Sequence, residues 1–212
     1  MIQFGVMANT HPAPGADLTQ MVDEVIAEAQ QAERCGFDSF FLTEHHQEPS
    51  GYFPSPLPLA AAIAARTSRI RIGTGIAILP LYHPTRLAED CAVVDIISKG
   101  RLILGVGQGY QEGDFAAFGL KVSDRVSLFE EGIEILRRAW TEEKVYFVGK
   151  RHTLQNINQG SDWLLHHVPF RRVGRAGPAC RTGRGRGCGR AGACHSRFLV
   201  RCVEGPGAPD PP

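Results

Sequence analysis

No stretch of this sequence approaches the roughly 20 consecutive apolar residues of a membrane-crossing helix. The start, Met1-Ile2-Gln3-Phe4-Gly5, lacks the basic and apolar regions of a secretory leader, so a cytoplasmic protein is expected. There is no internal repeat. Cysteine is scarce where the chain looks globular: only Cys35 and Cys91 lie in residues 1–150, which suits a cytosolic enzyme with two buried or spare thiols. Lysine is missing from 171–212, and neither Phe nor Tyr occurs between 171 and 197. These gaps divide the 212 residues into two regions. Residues 1–150 hold 13 Lys/Arg against 19 Asp/Glu, a net −6, and the remaining 62 hold 10 against 3, a net +7. The length allows one large domain or two small ones.

What is present in the first region is alternation. Ile2 to Ala8 reads as a first buried strand, broken by His11-Pro12-Ala13-Pro14-Gly15. Asp17 or Thr19 suits an N-cap. Met21, Val22, Val25, Ile26, Ala29 and Ala32 then recur at helical spacing as far as Cys35, and Gly36 ends the helix. Phe37-Asp38 opens a second strand, whose apolar run from Phe40 stops abruptly at Glu44-His45-His46. A long loop, Gln47 to Pro58, leads to an Ala-rich helix from Leu59 to Thr67. Ile70 to Leu79 is a third strand whose two internal glycines, Gly73 and Gly75, point to a bulge or close backbone approach. A helix opening at Pro84 follows. Arg101 to Gly107 is a fourth strand, and a last helix opens at Ser123 or Asp124 with Val126, Phe129, Ile133, Leu136 and Trp140 on its apolar face. Val145 to Val148 reads as a short strand. Strands and helices alternating with short joints predict an α/β fold with a parallel sheet. Units running in one direction favour a barrel, although a doubly wound sheet shares the pattern.

In such folds chemistry gathers where parallel strands end. Glu44, His45 and His46, directly after a buried strand, are therefore site candidates, with Glu44 and His45 as the catalytic pair, because imidazole is the usual proton-transfer side chain near neutral pH. Capping and loop hydrogen bonding are the simpler alternatives. Gly105-Val106-Gly107-Gln108-Gly109 suggests a dinucleotide loop but lacks the third glycine at the fingerprint spacing and follows the fourth strand, not the first. Cys180, Cys188, Cys194 and Cys202 stand eight, six and eight apart, too far for the paired ligands of a zinc site. The Gly-Arg alternation from Arg181 to Arg190 has the form of a nucleic-acid-binding tract without its aromatic partners.

Residues 1–150 resemble the first half of the bacterial luciferase-like, flavin-dependent monooxygenases. The resemblance is carried by Ala32-Glu33-Arg34-Cys35-Gly36-Phe37-Asp38, Thr43-Glu44-His45-His46 and Ile72-Gly73-Thr74-Gly75-Ile76-Ala77-Ile78-Leu79-Pro80. It continues in His83-Pro84-Thr85-Arg86-Leu87-Ala88-Glu89-Asp90, in Asp95-Ile96-Ile97-Ser98-Lys99-Gly100-Arg101, and in Phe118-Gly119 and Arg125. It implies part of a (β/α)8 barrel, about four to five βα units, that binds reduced FMN at the carboxyl edge. The FMN would come from a separate flavin reductase and act with O2 on a small organic substrate such as an aldehyde. Residue by residue it implies His45 as the catalytic histidine beside the flavin ring, and Glu44 as an acid of the same pocket. Gly75-Ile76 would be a non-proline cis peptide under the ring, and Arg125 a phosphate-side base. Gln108 stands where luciferases often carry an Arg, so that charge is missing here. Glu44-His45-His46 together with Ser98-Lys99-Gly100-Arg101 inclines the cofactor towards FMN over the deazaflavin F420 of sister groups. A homodimer is expected.

The family pattern ends near 155–160, short of the roughly 250 residues of a whole barrel. Residues 1–158 are thus expected to form a barrel portion with both sheet edges open. Residues 159–212 are expected to be a disordered or frame-shifted Arg/Gly/Pro/Cys-rich tail without a core of its own. A truncated enzyme is the first functional expectation; a non-catalytic flavin-binding or regulatory barrel fragment is the second.

Overall fold

The computed structural model describes residues 2–13, 15–48, 52–158 and 198–201. Asp17 caps helix α1 (Leu18–Arg34), its carboxylate accepting from Thr19 N at 2.8 Å and Gln20 N at 3.4 Å. These are donors that a first turn leaves open. Met21, Val25, Ala29 and Ala32 are the buried stripe of α1. Strands β1 (Gly5–Met7), β2 (Ser39–Leu42), β3 (Arg71–Thr74) and β5 (Leu102–Gly107) lie side by side in that order, and all of these pairs are parallel. Helices α1, α2 (Pro56–Ala64), α3 (Pro84–Ser98) and α5 (Arg125–Ala139) connect or follow them.

Period-two alternation fixes which side of the sheet the helices cover. Phe40, Leu42, Ile72, Leu102, Leu104 and Val106 are buried in one core with Val25, Ala29, Ile63, Leu87, Cys91 and Leu136 from the helices. The other side sets glycines beside larger residues. A side chain at Gly73 would come within 2.5 Å of the Phe41 ring, and one at Gly107 within 2.6 Å of Ile76 Cδ1. Glycine is what lets these neighbours approach.

Several expectations need correction. The first strand is not buried: among the described residues Gly5–Met7 has one neighbour, and Phe4 and Met7 are 64% and 55% exposed, because no second strand there covers it. The third strand is two. β3 pairs Gly73 with Ile103, whereas β4 (Ala77–Ile78) pairs Ala77 with Val106, so one extra residue is inserted between them. The Gly75–Ile76 peptide inside that bulge is cis. Thr74 repairs the interrupted ladder: its buried hydroxyl donates to Gly105 O at 2.7 Å and accepts from Gly105 N at 3.0 Å.

Helix α2 starts at Pro56, three residues before the sequence reading placed it, because proline fits a first turn that needs no N–H donor. The short α4 (Glu112–Ala117) and strand β7 (Thr153–Asn158), which pairs with β6 (Lys144–Val148), carry too little apolar pattern to be read in advance. The turn between β6 and β7 is held by Glu131, whose carboxylate accepts from Lys150 N, Arg151 N and His152 N. Both edges were expected to be open, yet β8 (Phe198–Arg201) pairs antiparallel with β5, Ile103 opposite Arg201 and Val106 opposite Phe198. The expectations for 159–197 and 202–212, and the zinc and nucleic-acid tracts among them, lie outside the described residues.

The amino rim of the sheet is a scaffold. Arg101 donates to Ser98 O, Thr67 Oγ1, Ile70 O, Ala64 O and Thr67 O at 2.6–3.0 Å. Glu33 accepts from Ser68 N, Arg69 N and Ile70 N. Burial opposes ionisation of Glu33, but these donors outweigh it and hold the carboxyl down at about 2. Asp95 is the reverse case. It is fully buried, Oδ1 accepts from Leu102 N at 3.1 Å and, among the described residues, Oδ2 has no partner in hydrogen-bonding geometry; burial lifts its carboxyl to about 6 against the smaller downward pull of Leu102 N and Ser98.

A raised folded-state pKa means that the folded chain holds a proton the unfolded chain releases. The stabilisation from that proton is complete below the ordinary value of 3.8 and is lost as pH rises through about 6. Asp95→Asn is expected to remove this slope. Relative to the variant, the parent should lose on the order of 3 kcal/mol between pH 4 and pH 7, read by urea unfolding at each pH.

Candidate active site

Because β2, β3/β4 and β5 run parallel, the residues after them share one rim. The carboxyl end of β2 delivers Glu44, His45 and His46; Gly75 and Ile76 follow β3; Gln108 follows β5. Gly75 N donates to Leu42 O at 2.6 Å, and Ile78 N donates to Glu44 Oε2 at 3.1 Å, which ties the first two of these segments together. Arg125 stands one loop further along, on the first turn of α5, and its Nη1 donates to Val122 O at 3.1 Å. Ser98 to Arg101, by contrast, belongs to the opposite rim and to the scaffold.

Glu44 does not point out of the rim. It is 3% exposed, and its carboxylate is fully engaged: Oε1 with His46 Nε2 at 2.7 Å, Oε2 with Ile78 N and with the Tyr82 hydroxyl at 2.8 Å. Burial, and next the adjacent Glu44 charge, push the Tyr82 phenol far above its ordinary value, so it remains a donor to the carboxylate. His46 is thus oriented by a carboxylate, and Phe118 meets its ring edge-to-face with centroids 5.0 Å apart. His45 is half-buried, and no hydrogen bond reaches its ring among the described residues. Its neighbour is Tyr52, 4.5 Å away centroid to centroid.

Asp114 was not singled out in the sequence. It is 3% exposed on α4, and its carboxyl is raised first by burial, while the nearby His46 and His45 imidazoles pull it down and Glu48 pushes it up. The missed signal was small: an acid four residues before Phe118, in a segment too short to read as a helix. Tyr52 was missed for a similar reason, since a loop tyrosine carries no spacing of its own.

The floor beside these groups is apolar and partly bare backbone. Phe41 and Met7 reach towards Gly75, and Ile76 lies over Gly107. A cleft of about 530 Å³ between the first βα loop and α1 is lined by Asn9, His11, Met21 and Glu28 among others, and its His11 ring meets Tyr52 at 5.2 Å. Among the described residues no group of His, Cys, Asp or Glu is arranged to hold a metal ion, and no helix is long and apolar enough to cross a membrane.

The model of the luciferase-like monooxygenases matches residues 2–168. The chain belongs to that family. The luciferase-like chain is 31% identical over 144 residues to the alkanal monooxygenase alpha chain of the Kryptophanaron alfredi symbiont, covering 68% of this sequence and 40% of that one. It is 30% identical over 185 residues to an F420-dependent glucose-6-phosphate dehydrogenase of Nakamurella multipartita, covering 84% and 52%. Its fold superposes with a TM-score of 0.67 and 27% identity on the oxygenating constituent of 3,6-diketocamphane monooxygenase from Pseudomonas putida, a type II Baeyer-Villiger monooxygenase solved with FMN, covering 72% and 42%. The luciferase-like chain therefore spans about half or less of the length of these relatives. Its parallel sheet and outer helices form the first units of their (β/α)8 barrel.

Proposed function

We propose that this chain is the flavin-binding portion of a flavin-dependent monooxygenase that uses reduced FMN and O2 on a small organic substrate, with His45 as its proton-transfer residue. One observation carries the proposal: His45, the cis Gly75–Ile76 peptide and Gln108 follow three neighbouring strands on one rim. The residues fit the ring of the cofactor. Gly75 and Ile76 are half-exposed, and the glycines around them leave a backbone surface against which a flat heterocycle can lie. They fit its phosphate more sparsely, with Arg125 as a charge and Gln108 as an amide.

Bound reduced flavin supplies the two electrons for O2, one oxygen atom going to the substrate and one to water. The protein's own part is narrower. His45 holds or releases a proton at its imidazole, Glu44 fixes His46 and the backbone after Ile76, and Phe41 and Met7 keep the floor dry. Glu44 is in this scheme a positioning residue. A separate flavin reductase and a homodimer belong to the same proposal. A cofactor of the F420 type is the second reading, favoured by the F420-dependent relative.

Anaerobic titration of reduced FMN into the purified chain tests the function. Saturable binding below about 1 mM is expected, with F420 weaker and with His45→Ala binding FMN as the parent does but altering its reoxidation by O2. No FMN binding removes the function from this chain. Tighter binding of F420 transfers it to the second cofactor.

A further inference from the structure

The two adjacent histidines of the rim are held in different ways. His46 is oriented by the Glu44 carboxylate at 2.7 Å. The His45 ring, which the proposed function needs in one orientation, accepts and donates no hydrogen bond among the described residues. Tyr52 packs against it. Its ring lies 4.5 Å from the His45 imidazole and 5.2 Å from that of His11, with an interplanar angle of 63° in both contacts. Tyr52 is half-buried between the two, so three rings from the first βα loop, the second βα loop and the end of β2 form a ladder. Edge-to-face pairs at these separations are attractive beyond their buried area, and the attraction grows when the edge ring is a cation.

We propose that Tyr52 is the positioning residue for His45. It sets the orientation of the imidazole by ring packing rather than by a hydrogen bond, and His11 braces the far side of the tyrosine. The contact needs the aromatic face and not the hydroxyl. Phe should therefore replace Tyr52, and an aliphatic residue of similar bulk should not. The link to catalysis rests on the function proposed for His45; the positioning itself does not.

The test is NMR of the full chain with labelled histidine side chains, each signal assigned by single His→Gln replacement. In the parent the His45 Cε1–H signal is expected to be displaced by the Tyr52 ring current. The displacement should be lost in Tyr52→Leu, kept in Tyr52→Phe and reduced in His11→Ala. The His83 and His152 signals, whose rings meet elsewhere 5.8 Å apart, report that the fold is intact. An unchanged His45 signal in Tyr52→Leu overturns the proposal, and so does an equal loss in Tyr52→Phe. In parallel, Tyr52→Leu is expected to change the rate of reduced-FMN reoxidation in the same direction as His45→Ala, by about tenfold or more, without changing FMN affinity. If the NMR follows expectation while both variants leave reoxidation untouched, Tyr52 still positions His45 and it is the catalytic role of His45 that falls.

Discussion

Glu44→Ala is expected to destabilise the chain by about 3–5 kcal/mol, whereas Glu44→Gln should cost less than about 1 kcal/mol. The alanine leaves the Ile78 N–H and the Tyr82 hydroxyl without an acceptor inside the protein and frees the His46 ring. The glutamine keeps all three contacts: its carbonyl oxygen accepts from Ile78 N and Tyr82, and its amide donates to His46 Nε2. What it removes is the charge. His46 is then held as the neutral tautomer that carries its proton on Nδ1. Chemical unfolding of the two variants checks the stability gap, and histidine NMR checks the tautomer. Equal destabilisation by both would show that charge, not hydrogen-bond geometry, is what this carboxylate contributes.

Arg101→Ala is expected to cost about 3 kcal/mol, and Arg101→Lys to recover less than half of it. Among the described residues the half-buried guanidinium has no carboxylate in contact. It donates instead to four carbonyls and the Thr67 hydroxyl, from Ala64, Thr67, Ile70 and Ser98. Burial lowers its pKa, the distant Glu33 offsetting only part of this, yet an arginine remains charged at any ordinary pH. An ammonium has three donors and cannot fan them across one plane, so lysine must leave carbonyls unpaired. The measurement is the urea midpoint of each variant. A loss below 1 kcal/mol would mean that water replaces the guanidinium at the end of α2.

The parts of this molecule that were legible in the sequence are those that repeat. The stripe from Met21 to Ala32 and the run from Phe37 to Leu42 place α1 and β2, and the abrupt polarity at Glu44 marks the rim. The family likeness, not periodicity, pointed to the cis peptide at Gly75–Ile76. What stayed hidden depends on tertiary partners. Phe4 and Met7 look like core in sequence and lie open because β1 has one neighbour. Glu44 looks like a group offered to a ligand, yet it turns inward because Ile78 and Tyr82, 34 and 38 residues away, supply donors. Thr74 looks like an ordinary strand residue, and only the register change opposite Gly105 gives its hydroxyl work to do.

The seat of Phe198–Arg201 on β5 also determines where this architecture can grow. A segment running against its neighbour ends the succession of same-direction strands at that border, since a right-handed crossover needs its next strand aligned with the last. Completion of a closed ring from that side would first require those four residues to leave. Among the described residues the opposite border, along Gly5–Met7, has no such stopper. Any strand added there arrives beside Met7, whose methyl group already reaches towards Gly75, and so brings its side chains to the margin of the pocket.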